Sequence, residues 1–341
     1  MKIFKFTLIL ALALLVSLCG AQTSQGYHLA KKILIGGEGG WDYLSVDAGA
    51  RRLYVSHSDH VVVVNIDSNT IVGEIPKTEG VHGVAVAPEF GHGFSSNGKT
   101  STVTMFDLKT LDTIKEIAVG KRPDAIIYDP AAKNIFTCNG GSDDATAVNA
   151  ESGVVAGTVS LGGRPEFAAA DGQGYIYINL ENKNEIVAVD SRTLTATAHW
   201  PIAPGDSPSG LAIDAEHHLL FSGCHNDTMI VLSTETGKVV AALPIGKGVD
   251  ACAFDAGTEC AFASCGDGTI TVVHENSPTT FSVVETIATQ RGARTMALDP
   301  ATHAVFTATA EFGPAPAPTP EHPRTRPTII QNTFTVLRFE K

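Results

Sequence analysis

The chain repeats one short grammar seven times, and that repetition constrains its fold more than any other feature. Trp41 to Ile75 (WDYLSVDAGARRLYVSHSDHVVVVNIDSNTIVGEI) states the unit. An apolar run ends at Asp47 and a Gly turn leads into Leu53–Ser56. A polar loop at His57–His60 then opens Val61–Ile66, and Asp67-Ser68-Asn69-Thr70 turns the chain into Ile71–Ile75. Four short antiparallel strands on a period of about 40 residues form a sheet too small to stand alone, so copies must bury their faces against one another. Radial stacking of such sheets is a β-propeller.

The first strands open at Asp42, His82, Asp124, Glu166, Ser209, Asp250 and Arg294, spaced 40 to 44 residues apart. Seven blades are therefore predicted. In six of them the first strand closes on Asp (Asp47, Asp129, Asp171, Asp214, Asp255, Asp299), which caps the turn into the second strand. The small residues of these strands suit the crowded inner edge of a blade. Second strands each carry an aromatic (Tyr54, Phe94, Phe136, Tyr177, Phe221, Phe262, Phe306), expected to pack one sheet on the next. The segment Tyr27–Gly36 matches the outer-strand pattern of Ile71–Ile75 and Thr113–Ile117, and Thr333–Phe339 reads as a third strand. A ring left open exposes unpaired strand edges, so the N-terminal strand is expected to complete the last blade. The prediction is an all-β, seven-bladed propeller forming one domain over 27–341.

Leu53-Tyr54-Val55-Ser56, the Val-x-Val-x-Asp third strands and the openings Gly120-Lys121-Arg122-Pro123-Asp124 and Gly162-Gly163-Arg164-Pro165-Glu166 resemble the YVTN-repeat propellers, the YncE-like family. The resemblance spans nearly the whole chain after residue 21 and implies a seven-bladed ring. It implies little chemistry, since members without known activity belong to the family. The Gly-His and Trp-Asp signature of WD40 blades is missing.

Residues 1–21 read as a secretory signal: Lys2 and Lys5, the apolar run Phe6–Leu18, then Cys19-Gly20-Ala21 with small residues at the cleavage positions. The run is too short for a bilayer, which needs about 20 apolar residues. A lipoprotein reading would make Cys19 the acylated residue, but Leu18 before it is bulky for that processing. A periplasmic or secreted protein without a membrane span is expected. Removing the segment leaves 22 basic against 36 acidic residues, a balance of −14. That disfavours nucleic acid, whose binding rests on Lys and Arg at phosphates, and anionic lipid. The remaining cysteines, Cys138, Cys224, Cys252, Cys260 and Cys265, read mainly as small apolar core residues; Cys252 and Cys260 flank one hairpin and are the pair to check for a disulfide.

The last blade breaks the pattern with a Pro-rich insertion over 311–332, FGPAPAPTPEHPRTRPTII at its heart, which cannot pair in a sheet. It is expected on the face where the first strands open, either as a lid or partner arm or as a tolerated excursion.

A propeller gathers its first-strand openings around the axis, so the candidate ligand site is Asp42, His82, Arg122, Asp124, Arg164, Glu166, Asp250 and Arg294, with Ser209 in the same ring. Carboxylates facing a shared funnel suit a divalent cation, and a close pair of them can divide into acid and base. A hydrated, merely polar mouth explains them too. His57, His60 and His225 fall in loops of the same face, whereas His217-His218 reads as an exposed turn. Cys-x-x-Cys-His haem attachment, phosphate loops and nucleophile elbows are missing, and only Trp41 and Trp200 are present to stack a quinone cofactor. Two functions follow. One is a monomeric binding or scaffold protein taking a small molecule, ion or protein at its funnel and Pro-rich loop. The other is a lactonase- or lyase-type enzyme using the funnel carboxylates and His82 with a divalent metal.

Overall fold

Each stretch of about 40 residues pairs with itself before it meets its neighbours. Leu44–Asp47, Arg52–His57, His60–Asn65 and Thr70–Ile75 form the first four-stranded antiparallel sheet, in sequence order from the axis outward. Five more sheets follow with inner strands Val81–Ala87, Pro123–Asp129, Pro165–Ala170, Pro208–Asp214 and Val249–Asp255. The seventh sheet joins Met296–Asp299, Ala304–Thr309 and Thr335–Glu340 to the N-terminal strand His28–Leu34, which pairs with Thr335–Glu340. The ring is closed across the two chain ends, as the edge argument requires. This computed structural model describes residues 26–316 and 327–341; the signal-like segment and the middle of the Pro-rich insertion lie outside them.

The core is divided by joint. Seven apolar clusters lie one between each pair of neighbouring blades. The second-strand aromatics anchor them: Tyr54, Phe94, Phe136, Phe221, Phe262 and Phe306 are fully buried, and Tyr177 nearly so. Each such side chain contributes roughly 2–3 kcal/mol by leaving water, and none could do so on an isolated sheet.

The closing Asp residues cap their turns as expected. Asp47, Asp129, Asp171, Asp214, Asp255 and Asp299 each accept hydrogen bonds from backbone N–H groups two to four residues on. Several do a second job that the sequence did not signal, reaching across to the next blade. Asp129 accepts from Ser191 Oγ, Asp255 lies 2.8 Å from His303 Nδ1 and Asp299 lies 2.8 Å from the Arg51 guanidinium. The five cysteines among the described residues are buried and free, so Cys252 and Cys260 form no disulfide.

Candidate functional site

The inner strands do not enter their sheets in regular register. In the second to sixth blades a β-bulge interrupts pairing at the second or third residue: between Val81 and Val84, Pro123 and Ile126, Pro165 and Ala168, Pro208 and Leu211, and Val249 and Ala251. A bulge re-aims the side chains it carries. Here the residues inside it include His82, Asp124, Glu166, Ser209 and Asp250. In the first and seventh blades the sheet begins only at Leu44 and Met296, so Asp42 and Arg294 stand in the preceding loops.

The bulged backbone is held by polar residues near the ends of second strands. Ser96 Oγ donates to the Asp124 carbonyl, Asn179 Nδ2 donates to the Ser209 carbonyl at 2.7 Å, and Ser264 Oγ donates to the Arg294 carbonyl. The Asp42 N–H is held by Ser56 Oγ at 2.8 Å. Sequence reasoning passed over these four residues. Their signal was a buried-pattern strand with Ser or Asn as its next-to-last residue, where an apolar residue was the simple expectation.

The predicted ring converges. His82 Nδ1 lies 2.6 Å from Asp42 Oδ2 and 3.4 Å from Asp124 Oδ1. On the other side Arg294 Nε lies 2.8 Å from Asp250 Oδ2, and an Arg294 amino group lies 3.8 Å from Asp42 Oδ1. A cavity of about 210 Å³ continues the mouth over His82, Arg122, Asp124, Arg164 and Glu166, and adds Glu181, which pairs with Arg164. Ser209 is buried below the rim. Tyr43, missed in the sequence, closes the floor edge-on to Phe167, with ring centres 5.0 Å apart.

Crowded carboxylates in partial burial hold protons more tightly. Burial, followed by the charges of Asp124, Glu181, Asp250 and Asp42, pushes Glu166 up to about 8. Burial also pushes Asp124 and Asp250 up to about 6, against the pull of His82 and Arg294 respectively. His82 feels burial downward, but its bond to Asp42 and the charge of Asp124 outweigh it and bring it up to about 8. Asp42, His82 and Asp124 place one donor atom each within 4.8 Å of one another, and Asp124 Oδ1 is buried without a hydrogen-bond partner. These residues fit a cation: two carboxylate oxygens and one imidazole nitrogen, with room on the solvent side for water or a ligand.

The other candidate residues separate from this group. His57 is buried against Phe334 and His60, with both nitrogens unbonded, and burial lowers its pKa; it is a packing residue. Cys138, Cys224 and Cys265 are buried thiols, and that burial pushes their pKa values up. The insertion starts and ends beside the mouth. Gly313 N–H bonds the Thr328 carbonyl at 2.8 Å, Phe312 leans on Trp41, and both border a 290 Å³ recess with Arg294 and Pro327.

Fold and mouth together define a seven-bladed β-propeller with an acidic, histidine-bearing axial opening. No family model matches the chain, and no curated protein matches it. Solved structures match in shape. A chain of Kuenenia stuttgartiensis hydrazine synthase superposes with a TM-score of 0.70 at 14% identity, covering 80% of this chain and 92% of that one. A chain of a mitotic checkpoint complex gives 0.72 at 14%, covering 90% and 95%. U3-55K gives 0.75 at 9%, covering 92% and 99%. At these identities the likeness is one of fold. No helix among the described residues is long and apolar enough to cross a membrane.

Proposed function

We propose that this chain is an exported binding propeller of the YVTN-repeat kind whose axial mouth holds a divalent cation on Asp42, His82 and Asp124 and presents it to a small polar ligand. The observation that carries this reading is the convergence of two carboxylates from two blades on one nitrogen of His82, with an Asp124 oxygen buried and unbonded. One Nδ1–H serves one carboxylate. A cation serves both, and binding it releases the imidazole proton. Arg122 and Arg164 on the cavity wall supply donors for an anionic group on the ligand, and the base of the Pro-rich insertion forms the rim beside Arg294.

The test is metal content. Chelator-stripped protein equilibrated with Mn²⁺ or Zn²⁺ should lose about one bound ion per chain when Asp42→Asn and Asp124→Asn are combined. Equal content in the wild type and the double variant would sink the reading. An acid–base enzyme in the same mouth is favoured by one observation: Glu166, which burial and neighbouring carboxylates push up to about 8, lines the same cavity as His82. That reading requires turnover of a lactone or related ester that Glu166→Gln lowers about 100-fold or more.

A further inference from the structure

The opposite end of the ring, where inner strands finish, carries a second cluster that the axial mouth does not use. Two of the joints there share one arrangement. Arg51, His218, Glu259 and His303 occupy one equivalent turn position with left-handed backbone (φ 56, 58, 52 and 62°). Where the sixth blade meets the seventh, and the seventh meets the first, this position offers a nitrogen donor, the His303 ring or the Arg51 guanidinium, to the buried Asp of the preceding blade. Where the fifth meets the sixth it offers Glu259, which brings no positive charge to Asp214.

A second position sharpens the anomaly. The residue just past each third strand donates its N–H to that turn, and is Ile66, Leu108, Ala150, Ser191 or Thr234 in the first five blades. The equivalent residue of the sixth blade is Glu275, which lies inside a longer third strand (Thr269–Ser277) and whose N–H bonds the Glu259 carbonyl at 2.8 Å. Apolar and small residues are the norm at this buried place, and Glu275 is 2% exposed. Both its carboxylate oxygens are buried without a hydrogen-bond partner. It faces His217 of the neighbouring blade, whose Nδ1 lies 2.7 Å from Asp214 Oδ2 and 2.9 Å from Glu275 Oε1. The turn that looked merely exposed in the sequence thus brings a histidine between two buried carboxylates.

An ionised carboxylate in such a place costs several kcal/mol unless paired, and the single Nδ1–H, directed to Asp214, leaves Glu275 unserved. We infer that Asp214, His217 and Glu275 form a second metal site, taking a divalent transition-metal ion such as zinc between the fifth and sixth blades. The donor atoms all lie within 4.8 Å of one another. Ligands held about 2.0–2.1 Å from one tetrahedral ion sit roughly 3.3 Å apart, so His217 Nδ1 needs to move from each carboxylate oxygen by about half an ångström. His217 is one-third exposed, which leaves an entry path and a position for water. Glu216 and Glu259 add negative charge around it. The competing account is a proton: Glu275 stays neutral, and burial does push it up to about 7. That account predicts no metal.

The experiment uses the full chain carrying Asp42→Asn and Asp124→Asn, so that the axial mouth contributes nothing, stripped with a chelator and equilibrated with Zn²⁺ alone. About one zinc per chain is expected, falling at least tenfold when Glu275→Gln is added, and zinc should raise the melting temperature only while Glu275 is present. A starting chain that holds no zinc, or a Glu275→Gln chain that holds all of it, overturns the proposal. Should Glu275→Gln fail to fold, His217→Ala removes the nitrogen and leaves both carboxylates. Unchanged zinc affinity in that folded variant likewise overturns it. Zinc lost with the mouth substitutions alone bears only on the mouth.

Discussion

The two ends of the ring solve the same electrostatic problem under different solvent. At the mouth, Asp42 and Asp124 compete for His82 while their side chains remain 18% and 27% exposed. At the far end, Asp214 and Glu275 compete for His217 with side chains 6% and 1% exposed. Water reaches the first pair in part, although Asp124 Oδ1 itself is buried, and barely reaches the second. An open cluster of this kind is free to exchange protons and ligands, whereas a closed one needs a standing partner.

The contrast is broken most severely by removing each histidine from metal-free protein at pH 8. His217→Ala leaves two buried carboxylates facing each other and should destabilise by about 3 kcal/mol. His82→Ala leaves partners that reach water and should cost about 1 kcal/mol. Urea denaturation of both variants measures the gap, and equal losses would mean that burial does not distinguish the two ends. Glu275→Ile, which installs the residue the first blade has at Ile66, tests the other side of the comparison. Without metal it should stabilise by about 1–3 kcal/mol, because a packed apolar side chain replaces an unserved acid. At zinc concentrations about 1,000-fold above the dissociation constant the sign should reverse, since the wild type alone gains roughly 4.1 kcal/mol from binding.

A smaller effect is expected from pH at the mouth. Glu166 and His82 both have folded pKa values raised to about 8, from 4.5 and 6.5. Each binds its proton more tightly folded than unfolded. Its contribution is therefore fully present below the unfolded pKa and lost as pH rises through about 8. Stability should decline from about pH 5 to 8, with each group adding a slope of at most about 1.4 kcal/mol per pH unit, reduced by solvent at the open mouth. Glu166→Gln should remove the largest single share of the decline in thermal melts across that range, beside smaller ones from Glu275, Asp124 and Asp250. An unchanged slope would show that Glu166 ionises normally.

The sequence carried the ring in two independent registers, the spacing of first strands and the aromatic in each second strand, because every blade must repeat the same burial. It carried the mouth for the same reason: equivalent positions in a ring converge, so Asp42, His82, Asp124, Asp250 and Arg294 meet although the first and last are far apart in sequence. What it did not carry are the exceptions to the repeat. The bulges depend on how each inner strand enters its sheet, and their Ser96, Asn179 and Ser264 supports look in sequence like ordinary strand ends. Glu275 was hidden for a related reason. Only the register of the third strand shows that it falls where Ile66 and Ala150 lie, and only the joint shows it facing His217.

The weakest perturbation sharpens the comparison by supplying a joint with no surplus acid. Asp129 is fully buried and finds a single cross-blade donor, the hydroxyl of Ser191, at the position equivalent to Glu275. Its remaining bonds come from its own turn, at Ala131 and Ala132. Ser191→Ala therefore removes one charge-assisted hydrogen bond while the turn keeps the carboxylate served, and should cost about 1–2 kcal/mol. Zinc content and the stability profile between pH 5 and 8 should not move. A loss as large as that of His217→Ala would mean that the cross-blade contact at every joint, and not the second acid at one of them, sets the cost at this end of the ring.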